Sequence, residues 1–330
     1  MPIRFPTNLL AAALCLFCGG TFAGTPLFSS APSLISQTTC YTEQGMALPV
    51  AVPKRPGNPD DTAALEKYEE YLRYLERVPG FRERLDCFEF TYKVDGLTIR
   101  GYVVKPKQSA GRKLPVLIYN RGGNSKLGQL SFLTLAYNHM PWAEQGYIAI
   151  STQYRGVGLD EFGGLDVDDV MALLPIIDGM PEADPGRIGM IGSSRGGMMT
   201  YLAAARSDRI KAIAILGGVS DLQAEVMRRP EMARVYAAHI PGYLTNREQV
   251  LKARSVLYWT DRLNPTLPIL LLHGEADVQV ASWNAVQMAE KLRERKQPHK
   301  LVIYPGGDHG MTRYRKNVQS ELMDWFQQHL

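Results

Sequence analysis

From Leu114 onward the chain alternates between short, unbroken apolar runs and stretches whose apolar residues recur every three or four positions. LPVLIYN, YIAISTQY, RIGMIGS, IKAIAIL, PILLLHG and KLVIYPG are the unbroken runs. Turn residues bound them, as expected of strands buried on both faces. Between them LGQLSFLTLAYNHMPWAEQ, DVDDVMALLPII, GMMTYLAAARS, SWNAVQMAEKLRERK and a last segment ending in ELMDWFQQHL read as helices. Such alternation predicts an α/β fold, a mostly parallel twisted sheet with helices on both faces.

The pattern before Leu114 is different. CFEFTYKV and LTIRGYVVKP alternate as antiparallel strands and are joined by Asp95-Gly96, a pair typical of a hairpin turn. Ahead of them PDDTAALEKYEEYLRYLERV places Leu65, Tyr68, Leu72 and Leu75 at helical spacing behind an acidic first turn, which reads as a packing helix. Residues 24–58 are rich in Pro, Ser, Thr and Gly, show no period, and read as an exposed lead-in. One irregular insert, residues 221–262, interrupts the alternation and is a candidate cap over the active face.

Composition narrows the function classes. A chain of 330 residues that is 45% hydrophobic can bury a large core in one domain. Its 37 basic and 33 acidic residues are interspersed, as in EKLRERK, so no nucleic-acid footprint is present. MPIRFPTN followed by the apolar run LLAAALCLFC and small residues up to Ala23 has the form of a secretory signal peptide over residues 1–23. A lipid-modified Cys18 is the alternative. The run is too short to span a bilayer, and stable membrane insertion is not expected. Removing the leader leaves Cys40 and Cys87, expected to pair in an oxidising compartment.

The chemistry is concentrated in RIGMIGSSRGGMMTYLAAA, where a strand turns abruptly into a helix. A side chain at the tip of such a turn sits on a strained backbone, and only very small residues fit two before and two after it. Ser194 has Gly192 and Gly196 at those places, whereas Ser193 would have Ile191 and Arg195. Ser194 is therefore the expected nucleophile.

A serine hydroxyl needs a base, and the base needs a carboxylate to orient it and stabilise its charged form. In an open α/β sheet these groups gather at the carboxyl ends of strands. The loop GEADVQV supplies Asp277 and the loop GDHG supplies His309. His273 is a rival base, read instead as a core histidine, and Asp221 is a rival carboxylate. Asp308 reads as a loop cap, and His139, His239, His299 and His329 are weaker candidates. The order Ser, Asp, His is that of α/β-hydrolases. Acyl transfer also needs oxyanion donors. One is expected from the backbone N–H of Arg195, the other from NRGGN, where Gly122 and Gly123 allow close approach. The Arg121 backbone, or its guanidinium reaching the oxyanion or a substrate carboxylate, is a further candidate. Asp166, Asp168 and Asp169 read as helix capping and dipole stabilisation, and no spacing resembles a metal site.

Together GSSRGG, STQYRG, HGEADVQV and GGDHG resemble the catalytic domain of the prolyl oligopeptidase family within the α/β-hydrolase superfamily, over roughly residues 90–330. The resemblance implies a Ser194–Asp277–His309 triad, with NRGGN forming half of the oxyanion hole. Two positions depart from it: Arg195 stands where the family usually has an aromatic residue, and Arg121 where related enzymes often present a tyrosine or a His-Gly pair. Residues 1–89 also leave no room for the propeller that filters peptides in many members. The expected protein is an exported serine hydrolase without cofactor, acting through an acyl-enzyme on small molecules or short peptides. A peptidase is expected, with a carboxylesterase or a noncatalytic binding protein of the same fold as alternatives.

Overall fold

The computed structural model describes residues 28, 33–41, 55–58, 61–124, 127–156 and 158–330. The leader at residues 1–23, with Cys18, lies outside the described residues. Among the described residues nine strands form one sheet: β1 (Leu34–Thr39), β2 (Leu85–Val94), β3 (Leu97–Pro106), β4 (Leu114–Asn120), β5 (Ile148–Thr152), β6 (Ala183–Ser193), β7 (Ile210–Leu216), β8 (Ile269–Gly274) and β9 (His299–Tyr304). Their order is β1-β2-β3-β5-β4-β6-β7-β8-β9. The first three pairings are antiparallel and the remaining five parallel.

The parallel strands fall on the apolar runs because both of their faces are covered. Val116, Ile118, Met190 and Ile213 pack on one side, and Leu117, Ile191, Ala214 and Leu272 on the other, against Trp325 and Phe326 of the C-terminal helix Arg315–His329. Two predicted helices are each split in two. Residues 127–145 hold helices Phe132–Asn138 and Met140–Glu144, and residues 166–177 hold Asp166–Met171 and Leu173–Asp178. Pro141 and Pro175 cannot donate to the preceding turn, so the helical ladder breaks beside each.

The lead-in is more than an exposed segment. Its residues 34–39 form edge strand β1, which pairs with β2 and is fastened by a disulfide between Cys40 and Cys87, Cα atoms 5.2 Å apart. The helix beyond it, Thr62–Arg84, continues through Pro79 because Val78 and Phe81 are buried against Leu85, Phe132 and the disulfide. Insert 221–262 holds helices Leu222–Arg228, Met232–His239 and Arg247–Ala253.

Candidate active site

Between β6 and helix Arg195–Ala204 stands Ser194 alone, at φ 56° and ψ −124°. A residue with a Cβ holds such a conformation only when its surroundings enforce it. The enforcement comes from crowding. A methyl on Gly192 would lie 2.2 Å from the Gly196 carbonyl oxygen, and one on Gly196 would lie 1.9 Å from that of Asn120. Strand end, helix start and the turn after β4 are pressed together, and Ser194 N–H donates to Leu216 O of β7 at 2.9 Å.

Asp277 and His309 leave the ends of β8 and β9. His309 Nδ1 lies 2.6 Å from Asp277 Oδ2, while Oδ1 accepts from the backbone N–H of Gln279 (2.8 Å) and Val280 (2.9 Å). Burial alone would raise the Asp277 carboxyl. The hydrogen bonds from His273 and His309, the nearby His309 charge and the Val280 N–H outweigh it and hold the group well below the usual carboxylate range. The turn after β7 joins this pair to the serine: a methyl on Gly217 would sit 3.4 Å from both Asp277 Oδ2 and His309 Nδ1, and one on Gly218 would sit 3.7 Å from Ser194 O. From the other side Gly122 approaches, its added methyl lying 3.0 Å from Ser194 Cβ. The predicted nucleophile, base, carboxylate and oxyanion loop thus share one edge of the sheet.

Sequence reasoning read His273 as a core residue. It is buried on β8, yet its Nε2 contacts Asp277 Oδ2 (3.2 Å) and Val280 O (2.9 Å). Its place four residues before Asp277 in HGEAD was the available signal. A second group missed in the sequence grips the Asp277 loop from the insert. Arg228 donates to Val278 O (3.1 Å) and Gln279 O (2.8 Å), and buried Glu225 accepts from Asn284 Nδ2 (2.6 Å) and Ala281 N (3.2 Å).

The remaining rivals are occupied elsewhere. Asp221 caps helix Leu222–Arg228, accepting from Gln223 N at 2.8 Å, and Asp308 accepts from Thr312 N at 2.6 Å. His139 is buried against Ser151 Oγ, 2.8 Å from its Nε2, and burial lowers its pKa to about 3. His299 Nδ1 lies near Gln297 O, and His329 meets the Trp325 ring.

The Arg121 guanidinium does not reach outward as the sequence allowed, and Arg195 is buried beside it. Both guanidinium groups are enclosed by protein: Arg121 is 3% exposed and Arg195 2%. Arg121 turns inward to Gln153 O (2.8 Å), Gly122 O (3.1 Å) and Leu127 O (3.4 Å), above the Tyr154 ring. Arg195 pairs with Asp166 and Asp160 and donates to Gly123 O. Burial would lower its pKa, but the two carboxylates outweigh this and keep it charged. The acidic cluster stands in the first turn of its helix, as the dipole reading expects, but makes no side-chain cap and forms ion pairs instead. Asp166 meets Arg195 and accepts from Gly163 and Gly164, Asp169 pairs with buried Arg155 (3.0 Å), and Asp168 pairs with Arg206 (2.5 Å). Among the described residues no group of acidic, histidine or cysteine side chains is arranged to hold a metal ion, and no helix is long and apolar enough to cross a membrane.

A cavity of about 540 Å³ opens beside His309 and Ser193, walled by Tyr119, Trp142, Leu216 and Met311. That volume lies in the range of small-ligand sites.

The twisted, mostly parallel sheet and the strained serine between β6 and its helix define an α/β-hydrolase. The model of the prolyl oligopeptidase family matches residues 134–330, and the chain belongs to that family of serine peptidases. It is 24% identical over 255 residues to an uncharacterized peptidase, YtmA, of Bacillus subtilis, an alignment covering 76% of this chain and 96% of that one. It is 27% identical over 268 residues to dipeptidyl-peptidase 5 of Porphyromonas gingivalis, covering 76% of this chain but 38% of that protein. Among solved structures, the acylaminoacyl peptidase of Pyrococcus horikoshii superposes with a TM-score of 0.65 at 22% identity, over 77% of this chain and 44% of that one. A puromycin-hydrolyzing peptidase of Mycobacterium tuberculosis gives 0.64 at 25% identity, over 73% and 39%. The chain therefore spans less than half of the dipeptidyl-peptidase and of these two solved structures.

Proposed function

We propose that the protein is an exported serine peptidase that cleaves short peptides through an acyl-enzyme. Ser194 Oγ attacks the scissile carbonyl, His309 takes its proton and returns it to the leaving amine, and Asp277 orients the imidazole and stabilises its charged form. Backbone N–H groups stabilise the tetrahedral oxyanion. Arg195, at the first position of its helix, has an N–H that no intrahelical carbonyl can reach, and the loop holding Arg121 and Gly122 supplies the second donor. The observation that carries this reading is the 2.6 Å contact of His309 with a buried carboxylate, on the sheet edge that holds the strained Ser194. Export is supported by the apolar run LLAAALCLFC and by the Cys40–Cys87 bridge, of a kind that persists in oxidising compartments.

A fluorophosphonate probe should label the folded protein and leave Ser194→Ala unlabelled. Absence of labelling in the folded wild type would turn the reading to a binding protein of the same fold. Turnover of short peptide amides should exceed that of the Ser194→Ala control. Amide turnover at the control level beside rapid hydrolysis of short acyl esters would make the protein an esterase.

A further inference from the structure

The segment 158–166 lies between the helix that follows Ser194 and the insert 221–262, and is held from both sides. On the inner side the Arg195 guanidinium pairs with Asp166 and, at 3.3 Å, with Asp160 Oδ1, and its Nη1 donates to Gly123 O at 3.1 Å. The planar group lies over the rings of Tyr154 and Phe162, 5.3 and 4.7 Å from their centroids. On the outer side Asp160 Oδ1 is 3.2 Å from Nδ1 of His239, the last residue of helix Met232–His239 in the insert. Arg254, also from the insert, donates to Phe162 O (3.0 Å) and Glu161 O (3.2 Å), and the Tyr236 ring meets that of Phe162 at 5.2 Å.

Burying a guanidinium with two carboxylates is costly, and apolar residues of equal volume would often be as stable. What the ions provide here is direction, because a guanidinium is a rigid planar fork. Arg121 Nη1 holds the carbonyl of Gly122 at 3.1 Å, and Arg195 Nη1 holds that of Gly123. Each carbonyl shares a rigid peptide plane with the next N–H. Two guanidinium groups therefore set the directions of the Gly123 and Asn124 N–H groups, in the loop whose Gly122 abuts Ser194.

We propose that Arg195 is a positioning residue for the oxyanion hole: its guanidinium fixes the Gly123–Asn124 peptide plane through the Gly123 carbonyl and so anchors loop 121–124, which carries the second donor, and through Asp160 it makes that anchoring depend on where His239 and the insert sit. This role rests on the reading of Ser194 as nucleophile. It gives Arg195 two functions, its own backbone N–H pointing at the oxyanion and its side chain anchoring the loop that carries the second donor.

The test compares Arg195→Gln, Arg195→Lys, Asp160→Asn and His239→Phe with wild type. It measures kcat and KM on a short acyl ester or peptide amide, the fluorophosphonate labelling rate, and inhibition by phenylboronic acid, whose serine adduct places an anionic oxygen in the same hole. Arg195→Gln should lower kcat roughly tenfold to a hundredfold with KM within about twofold, and should weaken the boronate in parallel, since losing an oxyanion donor outright costs about a hundredfold to a thousandfold and misdirecting one costs less. Arg195→Lys should recover part of the loss. His239→Phe should lower kcat about threefold in the wild-type background and add nothing in Arg195→Gln, as coupled residues do.

Wild-type kcat and boronate affinity in folded Arg195→Gln would overturn the role, as would a raised KM with unchanged kcat, or full additivity with His239→Phe. Should the Arg195 variants not fold, Asp160→Asn and His239→Phe decide: reduced kcat at an unchanged melting temperature supports the role, and unchanged kcat in both removes it. A wild type that takes no label defeats the hydrolase reading and this role with it. Labelling of Arg195→Gln at the wild-type rate defeats this role alone.

Discussion

His273 and Asp277 meet through Nε2 and Oδ2 at 3.2 Å, on the same carboxylate oxygen that His309 contacts at 2.6 Å. Val280 O lies 2.9 Å from the same Nε2. Both neighbours accept, so His273 carries its proton on Nε2 and acts as a fixed donor. Replacing it with Phe would leave the Asp277 carboxylate with one side-chain donor and freer to turn. We expect kcat/KM to fall roughly tenfold in His273→Phe, with part regained in His273→Gln, which keeps a donor. Steady-state kinetics at neutral pH check this, and equal activity of all three proteins would remove His273 from the working site.

Gly196 has no room for a side chain. An added methyl would lie 1.9 Å from Asn120 O and 2.8 Å from Arg121 O, both backbone atoms that cannot swing aside. Gly196→Ala should therefore cost about 3 kcal/mol or more, or yield no folded protein. Urea denaturation measures it, and a midpoint within error of wild type would contradict the crowding.

The Cys40–Cys87 bridge closes a loop with a sequence separation of 47 and ties β1 to the sheet. On the chain-entropy estimate such a cross-link contributes up to about 4 kcal/mol. A Cys40→Ala/Cys87→Ala double variant should melt well below wild type, and reductant should lower the wild-type melting temperature while leaving the variant unchanged.

His139 should make the fold sensitive to acid. Burial lowers its pKa to about 3, whereas an unfolded histidine titrates near 6.5. Between those values the unfolded chain binds the proton and the folded one does not, so this contribution is fully present above about pH 6.5 and is lost as pH falls toward about 3. The full span corresponds to a few kcal/mol. Unfolding free energy measured across pH 4–7 should rise more steeply in wild type than in His139→Gln, and parallel curves would contradict this assignment.

Much of this architecture is legible in the amino-acid pattern. Leu114–Asn120 and Ile210–Leu216 coincide with their apolar runs because a strand covered on both faces is apolar at nearly every position between its turns. Ser194 was legible because the turn leaves room only for glycine at 192 and 196. β1 was not: LISQTT has no apolar alternation and joins the sheet through backbone hydrogen bonds to β2. The inward turn of Arg121 and Arg195 was equally hidden, since their partners, Gln153 O, Asp160 and Asp166, lie far away in the chain and carry no spacing that links them. Periodicity reports which face is buried, and says nothing about which charges meet across a core.

The placement of Ser194, Asp277 and His309 after β6, β8 and β9 also has a temporal meaning. The ribosome delivers the serine first and the imidazole more than a hundred residues later. On the proposed reading, the Ser194 hydroxyl has no base beside it until β9, the outermost strand on that side of the sheet, is in place.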